Sequence, residues 1–125
     1  MEITKYPQAH FLREADGIVL LGARYRATGE LRFPPPEFVH SGEVVEPEAM
    51  NPIGHLYTYT TVHPSKAASY ALGMVDFENG LRVFGRLTWP AGKEPRIGDV
   101  VRAVAAQLPD GTPDFAFAPV EGVCA

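Results

Sequence analysis

A chain of 125 residues, 46% hydrophobic and 21% charged, has enough apolar material for one globular domain with at most a small appendage, and lies far from the composition of disordered chains. Its net charge of −4 disfavours a phosphate backbone as the main partner, because that binding is driven by Lys and Arg displacing counterions; only a local basic face stays open. Twelve glycines, twelve prolines and the single Cys124 exclude a disulfide framework and an intrachain thiolate metal site, and favour many short strands joined by turns. The fold class expected is mostly β.

The first seven residues lack the basic start and apolar run of a signal peptide, and no stretch approaches bilayer-spanning length. A soluble, cytoplasmic protein without a membrane partner is expected. Residues 8–15 suit a short N-terminal helix of about two turns. The apolar run 17–22 follows, and residues 23–26 and 30–33 read as a hairpin turned at Ala27, Thr28 and Gly29, making a small β appendage. Pro34, Pro35 and Pro36 then stop any ladder, since proline has no N–H to donate. Residues 34–52 show no periodicity, and so long a connection is usually functional or held by something else. Residues 1–53 are therefore taken as an N-terminal segment and 54–125 as the principal domain.

The second part reads as five strands. Residues 55–62 are rich in β-branched and aromatic types, with Leu56, Thr58, Thr60 and Val62 assigned to one face and Tyr57, Tyr59 and Thr61 to the other. Strands at 70–77 and 81–89 flank Asn79 and Gly80, a pair suited to a tight hairpin turn. In the later of these, Leu81, Val83, Leu87 and Trp89 alternate with Arg82, Arg86 and Thr88, a half-buried pattern of period two. Gly73 and Gly85 interrupt bulky strands, which marks a bulge, a bend or a close backbone approach. Strands at 100–108 and 114–118, turned at Asp110 and Gly111, complete a five-stranded OB-type Greek-key barrel, with its longest connection between the third and fourth strands.

Leu21-Gly-Ala-Arg-Tyr-Arg-Ala-Thr-Gly-Glu-Leu-Arg-Phe-Pro-Pro35, followed by residues 56–63, 85–87 and 96–102, resembles the family catalogued as domain of unknown function thirty-five. The resemblance covers residues 17–119. It implies a rubredoxin-like zinc ribbon before a C-terminal OB fold, and a non-catalytic subunit that supports a thiolase-like or aldolase-like enzyme and helps to hold or channel acyl-CoA. It also implies a thiolase-like partner, with a heterotetramer as the natural assembly; an exposed apolar edge left without that partner should tend to self-associate, so a homodimer of the isolated chain is the alternative. Where that family places zinc-binding cysteines, this chain has Tyr25 and Thr28, then residues 39–42, again without cysteine. A degenerate, metal-free ribbon is expected, kept as a docking surface and held by large apolar side chains, with Tyr25, Phe33 and Phe38 as the docking candidates.

No phosphate loop, nucleophile elbow or metal-ligand cluster is present, so catalytic and metal sites are expected to be absent. His63 with Asp76 is the one acid–base pair an enzyme reading can use. Arg82 and Arg86 share a strand face with Phe84, an arrangement that suits either the adenosine and phosphates of coenzyme A or a single-stranded nucleic acid read by stacking and charge. Lys66 and Arg96 lie on loops able to reach an acyl-CoA tail. The candidate acyl-CoA-binding residues are thus His63, Lys66, Arg82, Arg86 and Arg96.

Overall fold

The computed structural model describes residues 2–14 and 17–120. Cys124 lies outside them. Eleven strands run in order: β1 (Ile3–Lys5), β2 (Phe11–Glu14), β3 (Gly17–Tyr25), β4 (Leu31–Arg32), β5 (Phe38–His40), β6 (Val45–Ala49), β7 (Ile53–Val62), β8 (Tyr70–Asp76), β9 (Arg82–Leu87), β10 (Val100–Gln107) and β11 (Pro113–Pro119). Among the described residues there is no helix, and so none long and apolar enough to cross a membrane.

The last five strands close into a barrel in the order β10-β11-β9-β8-β7, with β7 pairing back onto β10. All neighbours are antiparallel except β11 and β9, which meet in parallel at Phe117 and Leu87. That is the OB arrangement expected from the strand count and the long third connection. Gly80 takes a φ of 87° in the β8–β9 turn, which a glycine adopts without the steric penalty of a Cβ.

Leu56, Val75, Val83, Leu87, Val101, Ala103 and Phe117 fill the interior. Gly73 and Gly85 face each other across β8 and β9 on the inner side, and the cause is close approach rather than a bulge. A Cβ on Gly85 would lie 2.8 Å from Phe117 Cε2, and one on Gly73 would lie 3.0 Å from Leu56 Cδ1 and Leu87 Cδ1, so each glycine leaves room for a neighbouring core side chain. The bulge is in β7, where the register with β8 slips between Leu56 and Thr58. It corrects the simple alternation expected there. Thr58, Thr60 and Val62 pair with outward Met74, Leu72 and Tyr70, whereas Tyr59 and Thr61 pair with the inward Gly73 and Ala71.

The N-terminal strands differ from expectation in two places. Phe11–Glu14 is not helical; it pairs with the start of β3, because Phe11 packs beside the core and the hairpin supplies backbone partners that a two-turn helix would lack. The segment after the three prolines contains β5, which pairs with β1, and β6, which pairs with β3. Neither strand has a clean alternation, and Pro47 sits within β6, so the pairing comes from neighbours distant in sequence. The hairpin of β3 with β4 forms as predicted, at Ala23 with Arg32 and Arg24 with Leu31. Ile18, Leu20 and Met50 join the barrel interior in one continuous core, with Phe11, Phe33 and Phe115 packed against it.

Candidate ligand face and partner surface

β7, β8 and β9 present their outward side chains as cross-strand rows. His55, Asp76 and Arg82 form one row, Thr58, Met74 and Phe84 the next, and Thr60, Leu72 and Arg86 the third. Val62 and Tyr70 follow at the end. Successive rows are about 7 Å apart, as in any extended strand. Phe84 at 58% exposure and the exposed Met74 stand between the two arginines.

The arginines are not equivalent. Arg82 lies flat over Tyr57, its guanidinium carbon 3.5 Å from the ring centroid, and donates from Nε and Nη2 to the two Asp76 oxygens at 2.6 and 3.2 Å. Hydrogen bonding from Arg82 holds the Asp76 carboxyl below the ordinary carboxylate value. Alternation from the buried Leu56 already turns Tyr57 outward, beside Arg82. Arg86 lies 4.4 Å over Tyr70 and makes no ion pair among the described residues. It therefore has charge to offer an anion.

His63 directly follows Val62, the partner of Tyr70, and its Nδ1 is hydrogen-bonded to Ser69 Oγ at 2.8 Å, closing the neck of the 63–69 loop. Lys66 is exposed on that loop. Tyr70, Arg86 and His63 thus gather at one end of the face, while Arg82 is held at the other. The acid–base pair of His63 with Asp76 does not form, because the two residues lie toward opposite ends of the β7–β8 ladder and Asp76 is committed to Arg82. Arg96 belongs to a different feature. Its backbone N–H donates to Asp99 Oδ2 at 2.9 Å, and it lines an open cleft of about 1440 Å³ with Tyr59, Trp89, Lys93 and Ile97. β7 and β9 run parallel to one another and β10 runs against them, so the 63–69 loop and the 88–99 connection leave the same end of the barrel.

The three docking candidates separate by burial. Tyr25 is 8% exposed with Arg32 4.6 Å over its ring, and Phe33 is half-buried against Phe115 at 5.9 Å, so both hold the N-terminal strands together rather than form an open surface. Phe38, 56% exposed, is the one on the surface. Ile3 shares its face across the β1–β5 pair and was not evident from sequence, since only the pairing with β5 puts it beside Phe38.

The two turns at the expected zinc knuckles are closed by their own backbone. Gly29 N–H donates to Tyr25 O, Tyr25 N–H to Glu30 O, and Arg24 Nη1 to Gly29 O at 2.7 Å. Glu43 N–H donates to His40 O, and His40 N–H to Glu43 Oε1. Tyr25 and Thr28, with a guanidinium over the tyrosine, do not make a zinc donor set, and no group of three ligating side chains gathers among the described residues.

The family model of the ChsH2 C-terminal OB-fold domain matches residues 47–106, which spans β7 to β9 and most of β10. Residues 47–106 belong to the ChsH2-like OB-fold family. The resemblance to domain of unknown function thirty-five is thereby shown through the barrel. No curated protein sequence matches the chain. Among solved structures, the chain is similar to one from the Ltp2–ChsH2 (DUF35) aldolase, at 21% identity and a TM-score of 0.64, covering 81% of this chain and 84% of that one. This ChsH2-type fold therefore extends beyond the matched barrel into the N-terminal strands.

Proposed function

We propose that the chain is a non-catalytic accessory subunit of an acyl-CoA-processing enzyme, thiolase-like or aldolase-like, and that it helps to hold acyl-CoA on the barrel. The observation that carries this reading is the ChsH2-type barrel, whose solved relative is a component of an aldolase complex. The outer face supports the ligand half of the proposal. Arg86 supplies an uncompensated cation, Phe84 an exposed aromatic surface, and His63 and Lys66 flank the same end. Arg96 serves from the cleft as a second cation. Phe38 with Ile3 is the proposed contact of the N-terminal strands with the enzyme, in a heterotetramer. No structural zinc is required, for the knuckle turns are closed by backbone bonds.

Single-stranded nucleic acid is the second reading, favoured by the succession Arg82, Phe84, Arg86 along β9. Pairing of Arg82 with Asp76 weakens it, since one of the two cations is already neutralised. Affinity purification of the tagged chain from its source cells, with mass spectrometry of what is retained, separates the two. A stoichiometric acyl-CoA enzyme supports the accessory role, and nucleic acid or nothing refutes it. Calorimetric titration of that complex with acetyl-CoA tests the ligand half: Arg86→Ala weakens binding about tenfold, and an unchanged affinity removes the outer face from the site.

A further inference from the structure

β7 is paired on both sides only along its first half. β10 meets it at residues 53–55, and the last bonds on that side are Leu56 N–H to Asp99 O and Gly98 N–H to Leu56 O, at 2.9 and 2.7 Å. From residue 58 to 62 the strand keeps its ladder with β8, but from residue 57 onward no backbone hydrogen bond crosses its other edge among the described residues. In an antiparallel strand every second residue turns both its N–H and its C=O to that outer side, so the edge is a row of open donors and acceptors.

Its composition does nothing to protect it. Tyr57, Thr58, Tyr59, Thr60, Thr61 and Val62 include no charge and no proline, the devices by which exposed edges are usually blunted, and strand propensity is high throughout. Tyr59 of this edge lines the cleft together with Trp89 and with residues of the 90–99 connection, among them Lys93 and Arg96.

We propose that this edge takes an extended segment of the partner enzyme as an added strand, seated in the cleft; the proposal rests on the accessory-subunit reading. Six residues of such a segment span about 20 Å, and successive side chains alternate between the Tyr59–Trp89 floor and solvent. The segment is therefore apolar at alternate positions and free of proline where it donates to β7. Acidic residues at its flank complement Lys93 and Arg96, neither of which is ion-paired among the described residues, and must sit beside these two cations and away from the Glu94 and Asp99 carboxylates of the same lining. The open stretch is six residues long, the length of a single added segment; the β7 edge of a second copy is the competing occupant, which dilution separates.

Residue-resolved amide exchange tests this on the free chain and on its complex with the enzyme identified by mass spectrometry and co-expressed. In the free chain, the outward amides of residues 57–62 exchange at least tenfold faster than those bonded to β8, and in the complex they slow at least tenfold. Tyr59→Asp, and separately Thr61→Lys, weaken the complex at least tenfold while β10 and β11 amides stay protected, which shows that the barrel is still folded. A complex that forms with the edge still exchanging freely overturns the added strand and leaves the accessory role standing. If no enzyme is retained, the accessory role fails and this proposal with it. Edge protection in the free chain that disappears on dilution assigns the edge to a second copy and overturns the proposal as well.

Discussion

In the barrel, Phe117 is fully buried against the side-chain-free Gly85, and among the described residues no charged group is buried. In the N-terminal sheet, β3 is tied to β6 across the surface by Arg24 with Glu48, at 3.1 and 2.6 Å, and by Arg26 with Glu46. These pairs are half-exposed, and water and salt screen them, so they orient strands more than they stabilise them. What anchors the N-terminal strands is the apolar insertion of Ile18, Leu20 and Met50 into the barrel's core, each contributing roughly 1.5–3 kcal/mol by burial. The contrast teaches that the appendage depends on the barrel, and it orders the expected effects of perturbation.

Phe117→Ala has the largest effect, a loss of about 3–5 kcal/mol in denaturant unfolding, because the cavity it leaves is faced by Gly85, which has no side chain to collapse into it. Leu20→Ala, on the N-terminal side of the same core, costs about 2–5 kcal/mol and shifts the whole transition. If its unfolding instead splits into two transitions, the two regions are independent and the comparison fails. Gly54→Ala comes next, at about 1–3 kcal/mol. A Cβ there would lie 2.6 Å from Val75 Cγ1 and 2.8 Å from the Asp76 carbonyl oxygen, and the backbone cannot move aside as a side chain would.

Acid titration gives the smallest change and sharpens the distinction. Hydrogen bonding from Arg24 and Arg82 holds the Glu48 and Asp76 carboxyls below their ordinary values of 4.5 and 3.8. Their contribution is therefore fully present above those values and is lost as pH falls through the lowered folded ones. The thermal midpoint is expected to fall only modestly through this acid range, and Glu48→Gln should flatten part of that fall. A large collapse of the N-terminal strands as pH falls below 4.5 would show that ion pairs, and not the three apolar side chains, hold them.

The strand pattern from residue 70 onward was legible because period-two alternation and the turn residues at 79–80 and 110–111 are local signals. The sequence by itself determined the mostly β class, the five barrel strands and the outward placement of Arg82, Phe84 and Arg86. Only the tertiary structure decided what those residues meet. A one-residue bulge at Tyr57 reverses every later side chain of β7, and no propensity marks where such a slip falls. β1, β2, β5 and β6 are short strands defined by partners elsewhere in the chain, which local periodicity does not encode. The inequality of Arg82 and Arg86, and the exposure of Phe38 beside Ile3 while Tyr25 is buried, follow from cross-strand neighbours. Which face a side chain takes is written locally, but its partner across the sheet is set by how the strands are brought together.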